Sequence, residues 1–334
     1  MKYDLVSGYR SKLTLIETEI AIKEIKDIFE RELAGGLSLT RVSAPLFVRP
    51  ETGLNDNLNG IERPVDFEVK SLGKKVEVVQ SLAKWKRMAL AKYDFKNGNG
   101  LYTDMNAIRR DEVLDSMHSV YVDQWDWEKI IAEEDRNEGK LKEIVIQIYD
   151  ALLATEKCIN SHFPALSFKL AREISFITTQ ELEDRYPGLT PKQREDEAVR
   201  ENGAVFLLKI GKRLKSGMVH DGRAPDYDDW ELNGDILLYY QLFDRAFEIS
   251  SMGIRVDSKS LKMQLEISGC SDRLELPFHK MVMNKELPFT VGGGIGQSRL
   301  CMYFLEKAHI GEVQASVWPD DMIGECGESG ILLL

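Results

Sequence analysis

The sequence predicts an α+β protein in which pairs of antiparallel β-strands pack against helices. Two pairs of segments carry this prediction, residues 101–108 with 118–127 and residues 235–243 with 246–256, each joined by a polar connection. The third observation is the helical spacing of apolar residues between Leu13 and Ala34. Because strands that follow each other along a chain usually pair as neighbours, we expect the strands of each pair to be adjacent in a sheet.

Composition narrows the class of protein. The chain has 334 residues, of which 43% are hydrophobic and 30% charged, as in ordinary globular proteins. No repeat, low-complexity tract or linker divides it, so we expect a single catalytic domain over residues 1–334. The formal net charge of −11 argues against nucleic acid as a partner, because phosphate contacts need a basic face.

Neither targeting signals nor metal-binding spacings are evident. No apolar run approaches the ~18 residues that span a membrane, so we expect a cytoplasmic protein without membrane contact. Five scattered histidines show no H-x-x-x-H spacing, which disfavours a zinc site. The cysteines form no C-x-x-C pair and are expected to be reduced, mostly buried thiols: Cys158, Cys270, Cys301 and Cys326.

The first helix is predicted over Leu13–Ala34 and is expected to end at Gly35-Gly36. A short strand over residues 37–42 follows and runs into Pro45, which is typical of a sheet edge. A helix, a strand and a proline at an edge suit a subunit contact, and plain packing within one chain explains them equally well.

A polar loop and a basic helix come next. Residues 51–62 are rich in glycine and asparagine around Asp56, a composition that either turn propensity or a polar site explains. The valine-rich segment 76–80 predicts a buried strand, and Ser81 is expected to cap the following helix. Lys86, one turn into that helix, is either part of a solvated face or a ligand for an anion.

The segment 118–127 is the first in which the pattern itself suggests a site. Side chains alternate between the two faces of a strand, so Gln124 and Asp126 share one face and Trp125 and Trp127 the other. Polar groups on a buried face need partners or a ligand.

The second half of the chain adds more carboxylates. Helices are predicted over residues 129–159, 179–185 and 191–200, with strands at 175–177 and 204–210. Residues 223–230 place Asp228 among three aspartates beside one arginine, which is typical of a solvated loop or of a site for Mg²⁺ or ammonium. In the strand 246–256, alternation puts Glu248 on one face and Ser251 and Arg255 on the other.

Residues 291–300 contain four glycines in five positions and then a helix that begins near Gln297. The glycines let a ligand approach the backbone, and Arg299 lies in the first helical turn, where the dipole favours anions. An anionic nucleotide suits this combination, and so does a glycine-rich turn with a surface arginine. The Rossmann and P-loop patterns both fail on spacing.

Six segments together resemble the family of ammonia-dependent asparagine synthetases, or aspartate–ammonia ligases, from about residue 10 to 320. They are residues 81–87 (SLAKWKR), 118–128 (HSVYVDQWDWE), 223–230 (RAPDYDDW), 233–237 (NGDIL), 247–256 (FEISSMGIRV) and 292–299 (GGGIGQSR). The resemblance implies a class II aminoacyl-tRNA synthetase catalytic fold, with an antiparallel β-sheet flanked by helices, and a homodimer. It identifies residues 13–45 as the first class II motif, 101–127 as the second and 292–300 as the third.

Two departures from the tRNA-charging members of that fold count against tRNA as a substrate. Arg109-Arg110-Asp111 stands where the second motif has arginine, any residue and glutamate, and Ser298 stands where the third has glutamate. Two alternatives stay open, an aspartyl- or asparaginyl-tRNA synthetase-like paralogue and a catalytically silent amino-acid-sensing subunit. The latter would be expected to lose a motif arginine, whereas this chain keeps Arg109 and Arg299.

The resemblance implies that L-aspartate, ATP and ammonia react through a β-aspartyl adenylate to give L-asparagine, AMP and pyrophosphate. It gives Arg109 the α-phosphate, Arg299 the γ-phosphate, and Asp56 the ammonium and its proton. For the amino acid, the resemblance implies that Arg255 and Ser251 bind the α-carboxylate, that Asp126 binds the α-ammonium group, and that Ser81 and Lys86 line the same pocket. Gln124 would donate a hydrogen bond to the reacting carboxyl group or to the adenylate phosphate. Asp235 and Glu248 would bind Mg²⁺, and Asp228 would either join them or contact the nucleotide.

Overall fold

The computed structural model describes residue 3 and residues 5–56, 58 and 62–334. Residues 57 and 59–61 of the predicted polar loop lie outside the described residues. The helices are α1 (Leu15–Leu37), α2 (Ala83–Lys92), α3 (Glu138–His162), α4 (Thr179–Arg185), α5 (Pro191–Asn202), α6 (Ser258–Ile267), α7 (Pro277–Met283), α8 (Gln297–Phe304) and α9 (Asp320–Glu328). The strands are β1 (Leu39–Arg41), β2 (Phe47–Val48), β3 (Asp66–Val69), β4 (Lys74–Val78), β5 (Gly100–Ile108), β6 (Tyr121–Ile130), β7 (Ser175–Thr178), β8 (Ala204–Leu208), β9 (Asp228–Tyr240), β10 (Arg245–Arg255) and β11 (Thr290–Gly296).

One large sheet organises the chain, with strand order β1-β5-β6-β11-β10-β9-β8-β7. Its central pairs are antiparallel, as the sequence predicts, and include both predicted pairs, β5–β6 and β9–β10. The outermost pairs, β1–β5 and β7–β8, are parallel. Each of these follows a connection that contains helices, which is long enough to bring the chain back in the same direction. Strands β2, β4 and β3 form a second, small sheet.

The main apolar core lies between one face of the large sheet and the helices α1 and α3. Trp125 and Trp127 point into it and are no more than 1% exposed. Phe29 of α1 packs against Trp125 with ring centroids 4.9 Å apart. The predicted alternation along β6 is therefore confirmed, and it turns Gln124 and Asp126 to the opposite face of the sheet.

Helix α1 does not end at its glycine pair, as the sequence predicts. It continues through Gly35 and Gly36 to Leu37, and Ser38 closes it in the left-handed region at φ 58°. Leu33 and Leu37 are each 1% exposed in the main core. Burial of two leucines outweighs the roughly 1 kcal/mol that each glycine costs inside a helix.

The starts of α2 and α3 also differ from prediction. Ser81 is not the cap of α2, because the helix begins one residue later and Leu82 occupies the cap position. The Leu82 N–H instead lies 3.3 Å from the Asp126 carboxylate on β6. The predicted helix over 129–159 begins only at residue 138, where Asn137 caps it, since residues 129 and 130 extend β6. None of the described helices is both long and apolar enough to cross a membrane.

Candidate active site

A cavity of about 430 Å³ opens on the face of the sheet that is opposite the tryptophans of β6. Strands β6, β10 and β11, the starts of α2 and α8, and the polar loop before β3 all contribute to its lining. The predicted site residues that line it are Asp56, Ser81, Lys86, Arg109, Gln124, Asp126, Asp228, Glu248, Ser251, Arg255 and Arg299. Asp235 is the exception: it lies beside the cavity, ion-paired with Arg223 of the lining.

The glycines of residues 292–296 form a strand in the middle of the sheet, between β6 and β10, rather than a turn. A Cβ atom at Gly292 would lie 2.0 Å from Glu128 Oε2, and one at Gly294 would lie 2.6 Å from Gln124 Oε1. Side chains of the neighbouring strands thus occupy the space above these glycines. The glycines permit polar groups to crowd onto the floor of the cavity.

Arg255 is held in a buried network of charges and is only 2% exposed. Its Nε and Nη2 atoms donate to Glu128 at 3.0 and 2.7 Å, and its Nη1 atom pairs with Asp228. Thr290 Oγ1 donates to Glu128 at 2.7 Å. Burial lowers the pKa of Arg255, but the carboxylates of Glu128 and Asp228 outweigh burial and raise it. The cation is therefore permanent and its orientation is fixed.

Lys86 and Asp126 form a second buried pair beside the first. Lys86 Nζ donates to Asp126 Oδ1 at 2.9 Å and to the carbonyl oxygen of Gly293 at 2.8 Å. Burial lowers the pKa of Lys86, and the Asp126 carboxylate opposes that effect. The pair joins α2, β6 and β11 at one point of the cavity floor.

A β-bulge in β10 changes which of its side chains face the cavity. The register against β9 shifts between Glu248 and Ser250, so the predicted alternation is wrong across this step. As a result Glu248, Ser251 and Arg255 all line the cavity, while Met252 is fully buried in the main core. The bulge brings a carboxylate, a hydroxyl and a guanidinium from one strand onto the same face.

Arg299 lies in the first turn of α8, as predicted. Its Nη1 atom donates to the carbonyl oxygen of Glu248 at 2.8 Å, and its guanidinium lies 5.8 Å from the centroid of the Phe247 ring. Burial raises the pKa of Glu248, but Arg299 and Arg223 outweigh burial and lower it. Two guanidinium groups and one carboxylate thus meet at this end of the cavity.

Arg109 reaches the cavity from the loop that follows β5. Its side chain is 31% exposed, its Nη1 atom lies 3.9 Å from Glu112, and its buried Nε atom has no hydrogen-bond partner among the described residues. A guanidinium fork with a free edge suits a phosphate or carboxylate oxygen. Of the predicted cationic residues, Arg109 is the least engaged by the protein itself.

The candidate metal ligands Asp235 and Glu248 lie on the paired strands β9 and β10. Asp235 Oδ1 is buried without a hydrogen-bond partner, and burial together with the nearby Glu248 raises the pKa of Asp235. No group of three or more histidine, cysteine, aspartate or glutamate side chains in the described ranges is arranged to hold a metal ion. Two carboxylates nevertheless fit Mg²⁺, which proteins bind through one or two carboxylates together with substrate phosphates.

Asp56 lies in the wall of the cavity and is 2% exposed. Its Oδ1 atom accepts a hydrogen bond from Leu58 N at 2.8 Å, and its buried Oδ2 atom has no partner among the described residues. Burial raises the pKa of Asp56, and the ammonium of Lys84 opposes that effect. A buried carboxylate with a free oxygen and a raised pKa is suited to accepting a proton.

Sequence reasoning missed several residues that shape the site. Glu128 follows Asp126 by two positions, so the alternation along β6 could have found it. Asp123 of the same strand caps α8 by accepting from Ser298 N at 3.0 Å and from Ser298 Oγ at 2.8 Å. Arg223 stands in a quoted motif but was given no role. No local signal indicated that Asp123 reaches a helix 175 positions away.

Solved structures of aminoacyl-tRNA synthetases share this fold. Asparaginyl-tRNA synthetase from Pyrococcus horikoshii, complexed with asparaginyl-adenylate, has a TM-score of 0.65 at 14% identity, over 91% of this chain and 70% of that chain. The Entamoeba histolytica enzyme, also with asparaginyl-adenylate, has a TM-score of 0.64 at 14% identity, over 90% of this chain and 66% of that chain. These matches confirm the predicted class II fold.

Sequence relatives define the family. The model of the family described as aspartate-ammonia ligase matches residues 16–330. The aspartate–ammonia ligase of Ruminiclostridium cellulolyticum is 63% identical over 98% of both chains, and that of Fusobacterium nucleatum is 62% identical over 98% of this chain and all of its own. That of Lactobacillus acidophilus is 56% identical over the whole of both chains. The chain belongs to the aspartate–ammonia ligase family.

Proposed function

We propose that this protein joins L-aspartate and ammonia with the consumption of ATP and releases L-asparagine, AMP and pyrophosphate. The side-chain carboxylate of aspartate attacks the α-phosphate and forms a β-aspartyl adenylate, and ammonia then displaces AMP. Family membership over almost the full length supports this reaction. The first step brings two anions together, so positioning and charge neutralisation must supply most of the catalysis.

The amino-acid half of the cavity consists of Ser81, Lys86, Asp126, Ser251 and Arg255. Arg255 and Ser251 bind the α-carboxylate of aspartate, and Asp126 binds its α-ammonium group. Because Glu128 and Asp228 already fix the guanidinium of Arg255, it meets the substrate without reorganisation. Asp228 pairs with this arginine, and that pairing supports a nucleotide contact for Asp228 over a role in metal binding.

The nucleotide half consists of Arg109, Glu248 and Arg299, with Asp235 directly beside it. Arg109 neutralises the α-phosphate as the aspartate carboxylate attacks it, and Arg299 holds the γ-phosphate end. Mg²⁺, bound by Asp235 and Glu248, would screen the charge of the phosphates. Gln124 lies between the halves, where its amide donates to the reacting carboxyl group or to the adenylate phosphate.

Asp56 serves the ammonia step. Ammonium has no lone pair to attack with until it loses a proton, and Asp56 both attracts the cation and accepts that proton. Its buried, unpartnered Oδ2 atom supports this role.

One observation carries the assignment: a single cavity brings together Arg109, Arg299, the pre-paired Arg255 and the carboxylate of Asp56. The test supplies the purified protein with aspartate, ATP, Mg²⁺ and ammonium. We expect asparagine with one AMP and one pyrophosphate for each amide formed. ADP as the product would contradict an adenylate, and aspartyl-tRNA without free asparagine would favour the paralogue hypothesis.

We also propose that the protein is a homodimer. One face of α1 exposes Leu15, Ile16 and Ile20, which are 45%, 67% and 50% accessible, and Leu332 lies close by at 60%. An exposed apolar patch of this kind favours association of two copies. Ile16→Asp should shift the mass measured by light scattering from dimer to monomer. Ile323→Asp on α9, where the native side chain is 49% exposed, is the control and should stay dimeric.

We also propose that the protein is located in the cytoplasm. The four cysteines are unpaired in the structure, which is typical of proteins in a reducing compartment. Fractionation of cells that express the tagged protein would test it.

A further inference from the structure

A buried cluster of charged groups lies behind Asp56 and has no role in the steps proposed above. It consists of Lys84, Asp226, Arg273 and His279. Asp226 Oδ2 accepts hydrogen bonds from Lys84 Nζ at 3.1 Å, from His279 Nε2 at 3.0 Å and from Arg273 Nη1 at 3.3 Å. Lys84, Asp226 and His279 are each no more than 2% exposed. Burying so many charges is costly, so a cluster of this kind requires a reason.

The cluster fixes the position of Lys84. Burial raises the pKa of Asp226, but Lys84, His279 and Arg273 outweigh burial and hold it below its usual range. Asp226 is thus an anion that anchors the ammonium of Lys84. Among the described residues Asp226 is the one hydrogen-bond acceptor of Lys84 Nζ, which carries three N–H groups.

Packing connects the cluster to the loop that carries Asp56. Gly53, three residues before Asp56, has φ +71°, and a Cβ atom there would lie 3.4 Å from His279 Nδ1 and 2.9 Å from Leu276 Cβ. The loop therefore lies directly on α7 and the residue that precedes it. His279 thus lies against both Asp226, which holds Lys84, and the backbone that leads to Asp56.

Charged groups reach Asp56 from two sides. The ammonium of Lys84 acts on it from α2 and the carboxylate of Asp226 from the segment before β9, while the hydroxyl of the neighbouring Tyr227 also favours the carboxylate form. Burial and the neighbouring carboxylates raise the pKa of Tyr227 well above 10, so it stays neutral. Arg273 and His279 act on Asp56 through Asp226. Lys84 is accordingly the cation that offsets the burial of the Asp56 carboxylate.

We propose that Lys84 is a positioning residue for the ammonia step, and that its anchored ammonium keeps Asp56 in the carboxylate form. This inference rests on the proposed function, because it requires Asp56 to receive the proton. Ammonium gives one proton to Asp56, and the ammonia nitrogen forms a bond to the acyl carbon. The bond from that carbon to the phosphate oxygen breaks, AMP leaves with the electron pair, and the remaining excess proton passes to water.

The test compares Lys84→Met and Lys84→Arg with the wild type across pH, by asparagine formation and by ATP–pyrophosphate exchange. Without the cation, Asp56 should ionise only at higher pH. Lys84→Met should move the rising limb of asparagine formation upward by at least ~1 pH unit and raise the KM for ammonium, since a close opposite charge shifts an aspartate by ~1–3 units. The pH profile of pyrophosphate exchange should not move. In Lys84→Arg, the rising limb of asparagine formation should return to its wild-type pH. Lys92→Met, at an exposed position of the same helix, is the control.

A second variant tests the sign of the effect. Asp226→Asn removes a carboxylate charge that opposes ionisation of Asp56, and its amide oxygen still accepts a hydrogen bond from Lys84, so the rising limb should move to lower pH, opposite to Lys84→Met. Shifts in the same direction, or equal losses of both activities without a shift, would overturn the inference. If the wild type makes no asparagine from ammonium, the proposed function fails instead. If it does and Lys84→Met is unshifted, only the role of Lys84 is lost.

Discussion

The two halves of the cavity differ in how completely the protein satisfies their charges. In the amino-acid half, Lys86 and Arg255 are 1% and 2% exposed and are paired with buried carboxylates. In the nucleotide half and directly beside it, buried atoms of Arg109 and Asp235 have no hydrogen-bond partner among the described residues, and Arg109 is 31% exposed. Buried polar groups are normally satisfied, so unsatisfied ones mark places where charged ligands complete the structure.

The amino-acid half is therefore preorganised, because its charges are paired before the substrate binds. The nucleotide half has polar atoms that a bound ligand satisfies. A paired, buried arginine has one orientation and recognises a small amino acid by shape and charge. An arginine with free donors adapts to a phosphate whose geometry changes during the reaction. Mutations should therefore act on stability in the first half and on rate in the second.

The largest effect is expected from Arg255→Met. It leaves the buried carboxylates of Glu128 and Asp228 without their cation, which should cost about 3–5 kcal/mol of folding free energy. Urea denaturation measures this loss. Arg41→Met removes the exposed partner of Asp104 and should cost less than about 1 kcal/mol. A loss as small as that of the control would show that the amino-acid half is not held by its ion pairs.

Arg109→Ala should leave stability nearly unchanged and lower the rate of adenylate formation by roughly 10²–10³, the usual loss for a positioned charge. Arg109→Lys should also be slow, because lysine lacks the planar fork. Pyrophosphate exchange measures the step directly. Arg110→Ala, at the exposed neighbouring position, serves as the control. Near-normal AMP production by Arg109→Ala would exclude this arginine from the first step.

Asp56→Asn should separate the two steps of the reaction. Asparagine formation should fall by about 10²–10⁴, the typical contribution of a general base, while pyrophosphate exchange is largely spared. In the wild type, asparagine formation should rise with pH as Asp56 ionises. An equal fall in both activities would move Asp56 to the adenylation step.

Asp56→Asn, which should lower activity, should stabilise the folded protein at neutral and higher pH. Because burial raises the pKa of Asp56 in the folded state, folding is favoured while the group is protonated and is weakened as pH rises from about 3.9, the ordinary value, through the folded pKa. Asp56→Asn should therefore be neutral at low pH and stabilising at pH 8. Thermal unfolding at the two pH values checks the sign, and equal effects at both would contradict it.

The smallest effect is expected from thiol alkylation. Free ammonia should be the nitrogen donor, because glutamine hydrolysis needs an activated nucleophile. None of the four cysteines lines the cavity, and burial raises the pKa of Cys301 to about 12 and that of Cys326 to about 11. Cys326 lies buried in α9. Iodoacetamide should therefore leave ammonia-dependent synthesis of asparagine unchanged. Efficient asparagine synthesis from glutamine that contains no ammonia would show that ammonia is not the required nitrogen donor.

The sequence by itself determined the parts of the molecule that depend on local periodicity. The period of two along β6 separates Gln124 and Asp126 from the tryptophans, and the helical spacing in α1 sets its buried face, because backbone geometry alone decides these directions. The family resemblance also pointed to eleven of the residues that line the cavity and to Asp235 beside it. The single catalytic domain that the sequence predicts over residues 1–334 remains a prediction.

Only the tertiary structure decided features that depend on a partner distant in the chain. The bulge that turns Glu248 toward the cavity arises from pairing between β9 and β10, and residues 292–296 become a strand because β6 and β10 flank them. Lys84 and His279 meet at Asp226 although 195 positions separate them, and neither carries a local signal of that contact. Local sequence sets where a side chain points, whereas the folded chain sets which charges it meets, and those charges fix its pKa and its chemistry.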